Sequence, residues 1–244
     1  MNWARALLLG DYQRVLANVE CDAWIADAPF GDRTHAAKLL KARDGTPRRG
    51  IERYPPWTEQ DVRECVRFGA PRTRGWFVAF SCHELGPVWA DELAAAGRYV
   101  FPPQPVVDRG SNVRLQGDGP SSCTTWLTVA RPRGFAWRTL PGEYRRRPGD
   151  PRSPQPGGKP LGVMMDIIGD YTRRGDLVVD PTAGMGTTLA AAHLMRRRPL
   201  GAERDRSTRA DALEHIEWLC SLERRAASVR VRTNRRDRAT HENH

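Results

Sequence analysis

The sequence predicts an α/β protein built on one doubly wound, mostly parallel sheet. Three observations carry that expectation. Short apolar runs alternate with helical patterns along most of the chain, the rhythm of βαβ units. At 244 residues the chain can bury one sizeable core, so a single domain is the default. Two of the expected strands end in an acid beside turn residues, at Asp27-Ala28-Pro29-Phe30 and at Asp180-Pro181-Thr182-Ala183-Gly184-Met185-Gly186-Thr187. Open α/β sheets gather their chemistry beyond such strand ends.

The elements follow in order. Arg5 to Leu9 reads as a strand stopped by Gly10-Asp11, and Tyr12 to Val19 as a short helix or turn. Cys21 to Ala26, with its run Ala23-Trp24-Ile25-Ala26, reads as a buried strand that delivers Asp27. Residues 31–56 are polar, basic and rich in Gly and Pro, a loop of a length that usually carries function or disorder. Thr58 opens a helix to about Gly69, with Asp61 at the capping-box spacing. Trp76 to Cys82 is a buried strand, and Glu84 to Ala96 a helix closed by Gly97. Arg98 to Phe101 is a strand ended by Pro102-Pro103, residues 108–122 a loop, and Thr124 to Ala130 a strand. Residues 131–158 form a Pro/Gly/Arg-rich connection without hydrophobic period. Leu161 to Tyr171 is helical, with Leu161, Met164, Met165 and Ile168 on one face. Leu177 to Val179 is an apolar strand, Thr187 to Arg197 a helix, and Leu200 to Ala202 a short strand ending at Glu203. Ser207 caps a helix reaching about Leu222, and the last twenty residues read as disordered.

Composition narrows the class. No run of 18 apolar residues exists, so no membrane-spanning helix is expected. Arg5 and Asp11 bracket too short an apolar stretch for a signal peptide. Five scattered cysteines without a CxxC pair read as reduced thiols of a cytoplasmic protein rather than disulfides or zinc ligands. His35 and His83 have no metal-spaced partner, and Trp76, Trp89, Trp126 and Trp137 read as core. The net charge of +10 is concentrated: residues 31–53 carry +4, residues 131–152 carry +5 and residues 223–244 carry +4, so the remainder is slightly acidic. Positive charge held in loops and tail suits a polyanionic partner such as nucleic acid. Only Lys38, Lys41 and Lys159 of the 39 basic residues are lysines.

The second acid-bearing motif reads as strand, glycine loop, helix. Gly184 and Gly186 let backbone approach a ligand, and the helix start at Thr187 offers free N–H groups. Glu203, ending the next strand, can accept both hydroxyls of a ribose. A dinucleotide site would place a third glycine where Leu189 stands. Asp180 before the loop suits the cationic end of S-adenosylmethionine and opposes a pyrophosphate. The bland alternative makes Asp180 and Glu203 helix-capping groups.

Together the two motifs resemble the amino-group DNA methyltransferases of the permuted β class. The catalytic motif of that family, an Asp, Asn or Ser followed by Pro-Pro and an aromatic residue, is matched by Asp27-Ala28-Pro29-Phe30. The cofactor motif is matched by Asp180 to Thr187, the Lys-Pro pair by Lys159-Pro160, and the Gly-Asp before the catalytic strand by Gly10-Asp11. The resemblance spans roughly residues 5–220, and residues 31–132 also look like small methyltransferases of phage or mobile elements. Ala28 departs from the family by replacing the first proline, and Thr182 by replacing a common Phe.

The resemblance implies a Rossmann-like methyltransferase fold with circularly permuted motif order. It implies one domain over 1–222: a catalytic half 1–132, the basic connection 131–158, and a cofactor half 159–222, followed by the tail 223–244. It implies methyl transfer from S-adenosylmethionine to adenine N6 in double-stranded DNA after base flipping, with cytosine N4, RNA, or an inactive DNA-binding homologue as alternatives. Asp27, Ala28, Pro29 and Phe30 would be catalytic. Asp11, Lys159, Asp180, Thr182, Gly184, Gly186, Thr187 and Glu203 would hold the cofactor, although Asp11 could merely end a strand. DNA would meet loops 31–56 and 108–123, through Arg33, Lys38, Lys41, Arg48, Arg49, Arg109 and Arg114. No metal or membrane is implied, and monomer and homodimer stay equally open.

Overall fold

The computed structural model of the chain describes residues 1–32, 55–108, 123–151 and 158–222. All seven expected DNA-contacting residues, His35 and the tail 223–244 lie outside them. The described strands are β1 (Leu7–Leu9), β2 (Ala23–Ala26), β3 (Phe77–Ser81), β4 (Arg98–Val100), β5 (Gln104–Val107), β6 (Thr124–Pro132), β7 (Tyr144–Arg145), β8 (Leu177–Asp180) and β9 (Arg198–Glu203). The helices are α1 (Trp3–Ala6), α2 (Tyr12–Val15), α3 (Glu59–Gly69), α4 (Gly86–Ala95), α5 (Leu161–Tyr171), α6 (Thr187–Leu194) and α7 (206–222).

One sheet runs in the order β1-β9-β8-β2-β3-β6-β5-β7, with β4 pairing the far end of β6. The five strands from β1 to β3 are parallel, and β6 is antiparallel to β3, β4 and β5. The chain leaves β8 towards β9 and leaves β2 towards β3, so the connections diverge between the adjacent strands β8 and β2. That is the switch point at which an open sheet forms its crevice.

Alternation along the central strands builds two core layers. Ala23 and Ile25 of β2 and Val78 and Phe80 of β3 face a cluster containing Leu161, Met164, Ile168, Ala190 and Leu219 of α5 to α7. Trp24, Ala26, Phe77 and Ala79 face the opposite cluster with Val62, Val66, Trp89 and Leu93 of α3 and α4. Strands buried on both faces read as unbroken apolar runs, which is why the periodicity locates them. Away from the crevice, Asp22 Oδ2 accepts from the Leu177 N–H at 2.7 Å while its Oδ1 accepts from Arg74. This clasp joins the two sequence-distant halves below the switch point.

Several expectations change. Arg5 and Ala6 belong to the helical turn α1, and the strand starts at Leu7. Strand β5 escapes the periodicity because Pro105 interrupts it, yet it pairs with β6 and buries Val106. The connection 131–158 is anchored to the core: Tyr144 is buried on β7, and Trp137 Nε1 donates to the Asp170 carbonyl at 2.8 Å. Helix α6 stops at Leu194, before Arg196 adopts φ +63°. Strand β9 extends over Arg198–Glu203. Asp205, rather than Ser207, caps α7, its Oδ1 accepting from the Thr208 N–H at 2.7 Å. Trp76 and Trp89 are buried and Trp137 packs on the core, but Trp126 is 39% exposed. The capping box at Thr58 and Asp61 forms as expected. All five cysteines are free thiols, and no metal-binding cluster exists among the described residues. No described helix is long and apolar enough to cross a membrane.

Candidate active site

The carboxyl ends of β1, β9, β8 and β2 point to one side of the sheet and open into one cleft. Asp11, Asp27, Ala28, Pro29, Phe30, Lys159, Thr182, Gly184, Thr187 and Glu203 all line it. The fold thus brings residues 11 to 203 of the chain to one place. Asp180 and Gly186 are not in the lining; Asp180 is 1% exposed, behind Pro181 and Thr182. Asp180 thus lies beneath the loop that lines the cleft.

At the end of β2 the chain turns through Asp27 and buried Ala28 to Phe30, which packs against both core layers. The Trp57 N–H donates to the Phe30 carbonyl at 3.3 Å, so these two residues, far apart in the chain, meet at the cleft. Trp57 stacks on buried Trp89 with ring centroids 6.0 Å apart. Trp57, Tyr12 and Glu64 line the cleft although no motif marks them, and Asp61, marked only as a helix cap, lines it too. The one sequence signal for Trp57 is an aromatic residue just ahead of the helix cap.

Across from β2, Lys159 reaches Asp27, with Nζ to Oδ1 at 2.5 Å. Lys159 is 7% exposed, and its ammonium lies 5.0 Å from the Phe30 ring centre and 4.6 Å from that of Phe80. A buried ammonium satisfied by a carboxylate and two aromatic faces is a paired charge.

Beneath the glycine loop, burial pushes the Asp180 carboxyl up to about 7; Asp27 and Glu203 push the same way, and Thr188 and the Thr182 N–H oppose. Asp180 Oδ1 accepts from the Thr182 N–H at 3.0 Å. Its Oδ2 and the Thr182 hydroxyl are buried without a partner of hydrogen-bonding geometry among the described residues, although the Thr188 side chain faces this carboxylate. Orphaned acceptors at a ligand cleft are where a bound group's charge or donors fit. Glu203 Oε2 accepts from the Gly184 N–H at 3.1 Å and its Oε1 from the Asp205 N–H at 2.8 Å. Burial raises the Glu203 carboxyl above its ordinary value against these two bonds. Asp11 caps α2 through the Gln13 N–H at 2.8 Å while lining the cleft, so its structural role is realised.

Gly184 has φ +49° and Gly186 φ +76°, both left-handed. A Cβ on Gly186 would stand 2.3 Å from Ile216 Cδ1 of α7. Gly186→Ala combines backbone strain with overpacking and is expected to destabilise by about 2–4 kcal/mol. A thermal melt checks this, and an unchanged midpoint contradicts it.

A family model for DNA methylases of the N6/N4 type matches residues 53–214, which include Lys159, the glycine loop and Glu203. The chain belongs to the N6/N4 DNA methylase family. The matched segment begins after Asp27–Phe30, so the catalytic assignment rests on the cleft geometry and the tetrapeptide. Three solved structures share the fold. The M1.HpyAVI complex with SAM aligns with a TM-score of 0.65 at 20% identity, over 86% of this chain and 98% of that one. PvuII DNA methyltransferase, cytosine-N4-specific, gives 0.63 at 12% identity, over 90% and 91%. TTHA0409 from Thermus thermophilus, assigned as a DNA modification methylase and complexed with S-adenosyl-L-methionine, gives 0.59 at 18%, over 89% and 95%. For this methylase they support a Rossmann-like α/β architecture with a central sheet.

Proposed function

We propose that the chain transfers a methyl group from S-adenosylmethionine to the N6 amine of adenine in DNA. The observation that carries this reading is the meeting, in one cleft, of Asp27 and Phe30 with the glycine loop and Glu203. S-adenosylmethionine, when bound, supplies an electrophilic methyl group on a sulfonium. The residues present suit it. Glu203 at the end of β9 can accept from ribose hydroxyls, the α6 start at Thr187 and the Gly184 backbone allow close approach, and the buried Asp180 carboxylate favours cationic groups above it. The orphaned Asp180 Oδ2 is the polar atom that fits this charge best.

An exocyclic amine is a weak nucleophile because its lone pair is conjugated with the ring. The Asp27 carboxylate and the Ala28 carbonyl can each accept one of its N–H bonds. Held so, the nitrogen moves towards tetrahedral geometry and its lone pair is aimed rather than delocalised. Asp27 also stabilises the positive charge that develops on nitrogen. Phe30 offers a ring for the base to stack on. The target atom cannot be reached inside a duplex, so the base must turn out. The segments 31–56 and 108–123 are the proposed DNA-facing loops. Phe30 and Trp57 fix the ends of the first beside the cleft. Asp108 donates its N–H to the Cys123 carbonyl at 2.8 Å at the base of the second, whose strand β6 pairs Trp126 with Ser81, the last residue of β3. Both segments therefore leave the sheet on the cleft side.

Asp at position 27 favours adenine over cytosine N4, which uses the same geometry. Incubation with labelled S-adenosylmethionine and plasmid DNA, followed by nucleoside mass analysis, tests the reading. N6-methyladenine supports it, N4-methylcytosine transfers it to the alternative, and unlabelled DNA of varied sequence contradicts it. Ala28→Pro is expected to retain at least about half the rate, since the chemistry needs a carbonyl at this position; complete loss would mean the turn departs from the proposed clamp.

A further inference from the structure

We propose that Lys159 is a positioning residue for Asp27, holding its carboxylate oriented so that the second oxygen meets the target amine. This inference rests on the methyl-transfer reading above. Four observations carry it. The Lys159 ammonium and Asp27 Oδ1 are 2.5 Å apart, though 132 residues separate them in the chain. The ammonium is buried over the rings of Phe30 and Phe80, so a displaced Lys159 would have to give up both the carboxylate and the aromatic faces. The residue before a proline is held extended, and Pro160 is the N-cap of α5, so the lysine side chain starts from a fixed backbone. Asp27 and Glu203 both bear on the Asp180 carboxyl, so three carboxylates gather at this end of the sheet.

That gathering explains why a cation is needed. Like charges at close range repel one another, and an opposite charge among them offsets that repulsion. Asp61 and Glu64 of α3 and Asp11 before α2 add negative charge to the same cleft, while Arg204 is the other cation lining it among the described residues. Lys159 holds Asp27 by Oδ1, and its single point charge leaves Oδ2 to accept from the amine. Its effect passes through Asp27 rather than through substrate, so its loss should appear in the rate of the chemical step.

The test uses the whole chain and two readouts. In steady-state transfer to DNA, Lys159→Met is expected to lower kcat at least tenfold while the DNA KM and the S-adenosylmethionine Kd stay within threefold. Lys159→Arg should recover at least a third of the wild-type kcat. If Lys159→Met does not fold, Lys159→Gln carries the same expectation. A kcat within threefold of wild type, or a loss confined to KM or Kd, overturns the proposal. The second readout needs no activity. The chain has three lysines, so acetic anhydride labelling followed by peptide mass analysis reads Lys159 by itself. Asp27→Asn is expected to speed Lys159 labelling at least fivefold over wild type, and an unchanged rate overturns the pairing. An inactive wild type whose Lys159 is released by Asp27→Asn overturns the methyl-transfer reading while the pairing stands.

Discussion

Asp27→Ala is expected to reduce methyl transfer to DNA by about a thousandfold or more, because the proposed clamp loses the acceptor that also faces the developing charge. S-adenosylmethionine affinity is expected to stay within about threefold, since the hydrogen bonds that hold Glu203 and Asp180 to the glycine loop do not involve Asp27. The same change takes the Asp27 carboxylate away from the Lys159 ammonium, a residue only 7% exposed. Removing one partner of a largely buried pair destabilises by up to about 3–5 kcal/mol, and the partial exposure of this one places it lower in that range. The variant therefore melts several degrees lower, and activity must be compared below that melt. Transfer assays, calorimetric titration of S-adenosylmethionine and a thermal scan separate the three effects. Retained methylation would remove Asp27 from the chemistry.

The second large effect concerns Asp180 and pH. Its carboxyl ionises near 3.8 in an unfolded chain and at about 7 in the fold. Between those values the folded protein holds a proton that the unfolded chain has released. Folding stability attributable to this group therefore falls as pH rises from about 4 to about 7, by up to about 4 kcal/mol. Asp180→Asn cannot ionise and should lose that slope, gaining on the wild type as pH rises. Ligand binding should run the other way. Cationic groups above the loop favour the ionised carboxylate, so wild-type affinity for S-adenosylmethionine rises as pH climbs through about 7. Asp180→Asn should bind about tenfold more weakly at about pH 8 and show a flat profile. Melts and titrations from about pH 5 to about pH 8.5 span the wild-type transition and measure both slopes. Parallel curves for the two proteins would contradict the role given to the buried charge.

The parts of the site legible in the sequence are those where a strand hands an acid directly to a turn. Asp27 follows a four-residue buried run, and Asp180 ends another before Gly184 and Gly186, so local pattern places both. Pairings across the sheet are not local. Nothing in the spacing of residues 27 and 159 indicates a 2.5 Å contact, which exists because β2 and the start of α5 converge on one cleft. Burial is likewise collective: the motif marks Asp180, but that its side chain is almost wholly covered emerges only in the fold. Strands β5 and β7 are hidden from the pattern because a proline interrupts one and the other is two residues long, and both exist through pairing with neighbours. The Arg5 to Leu9 run divides between helix and strand, and five residues are too few for either period to emerge.

Sequencing of base modifications in a methylation-free host expressing either the wild-type chain or Asp27→Ala shows whether the proposed Asp27 clamp delivers a methyl group to the amine of a DNA base. N6-methyladenine at a short recurring sequence is expected with the wild type and none with the variant. A host DNA free of modified amines with wild-type protein present, or an equal pattern from both proteins, would contradict it.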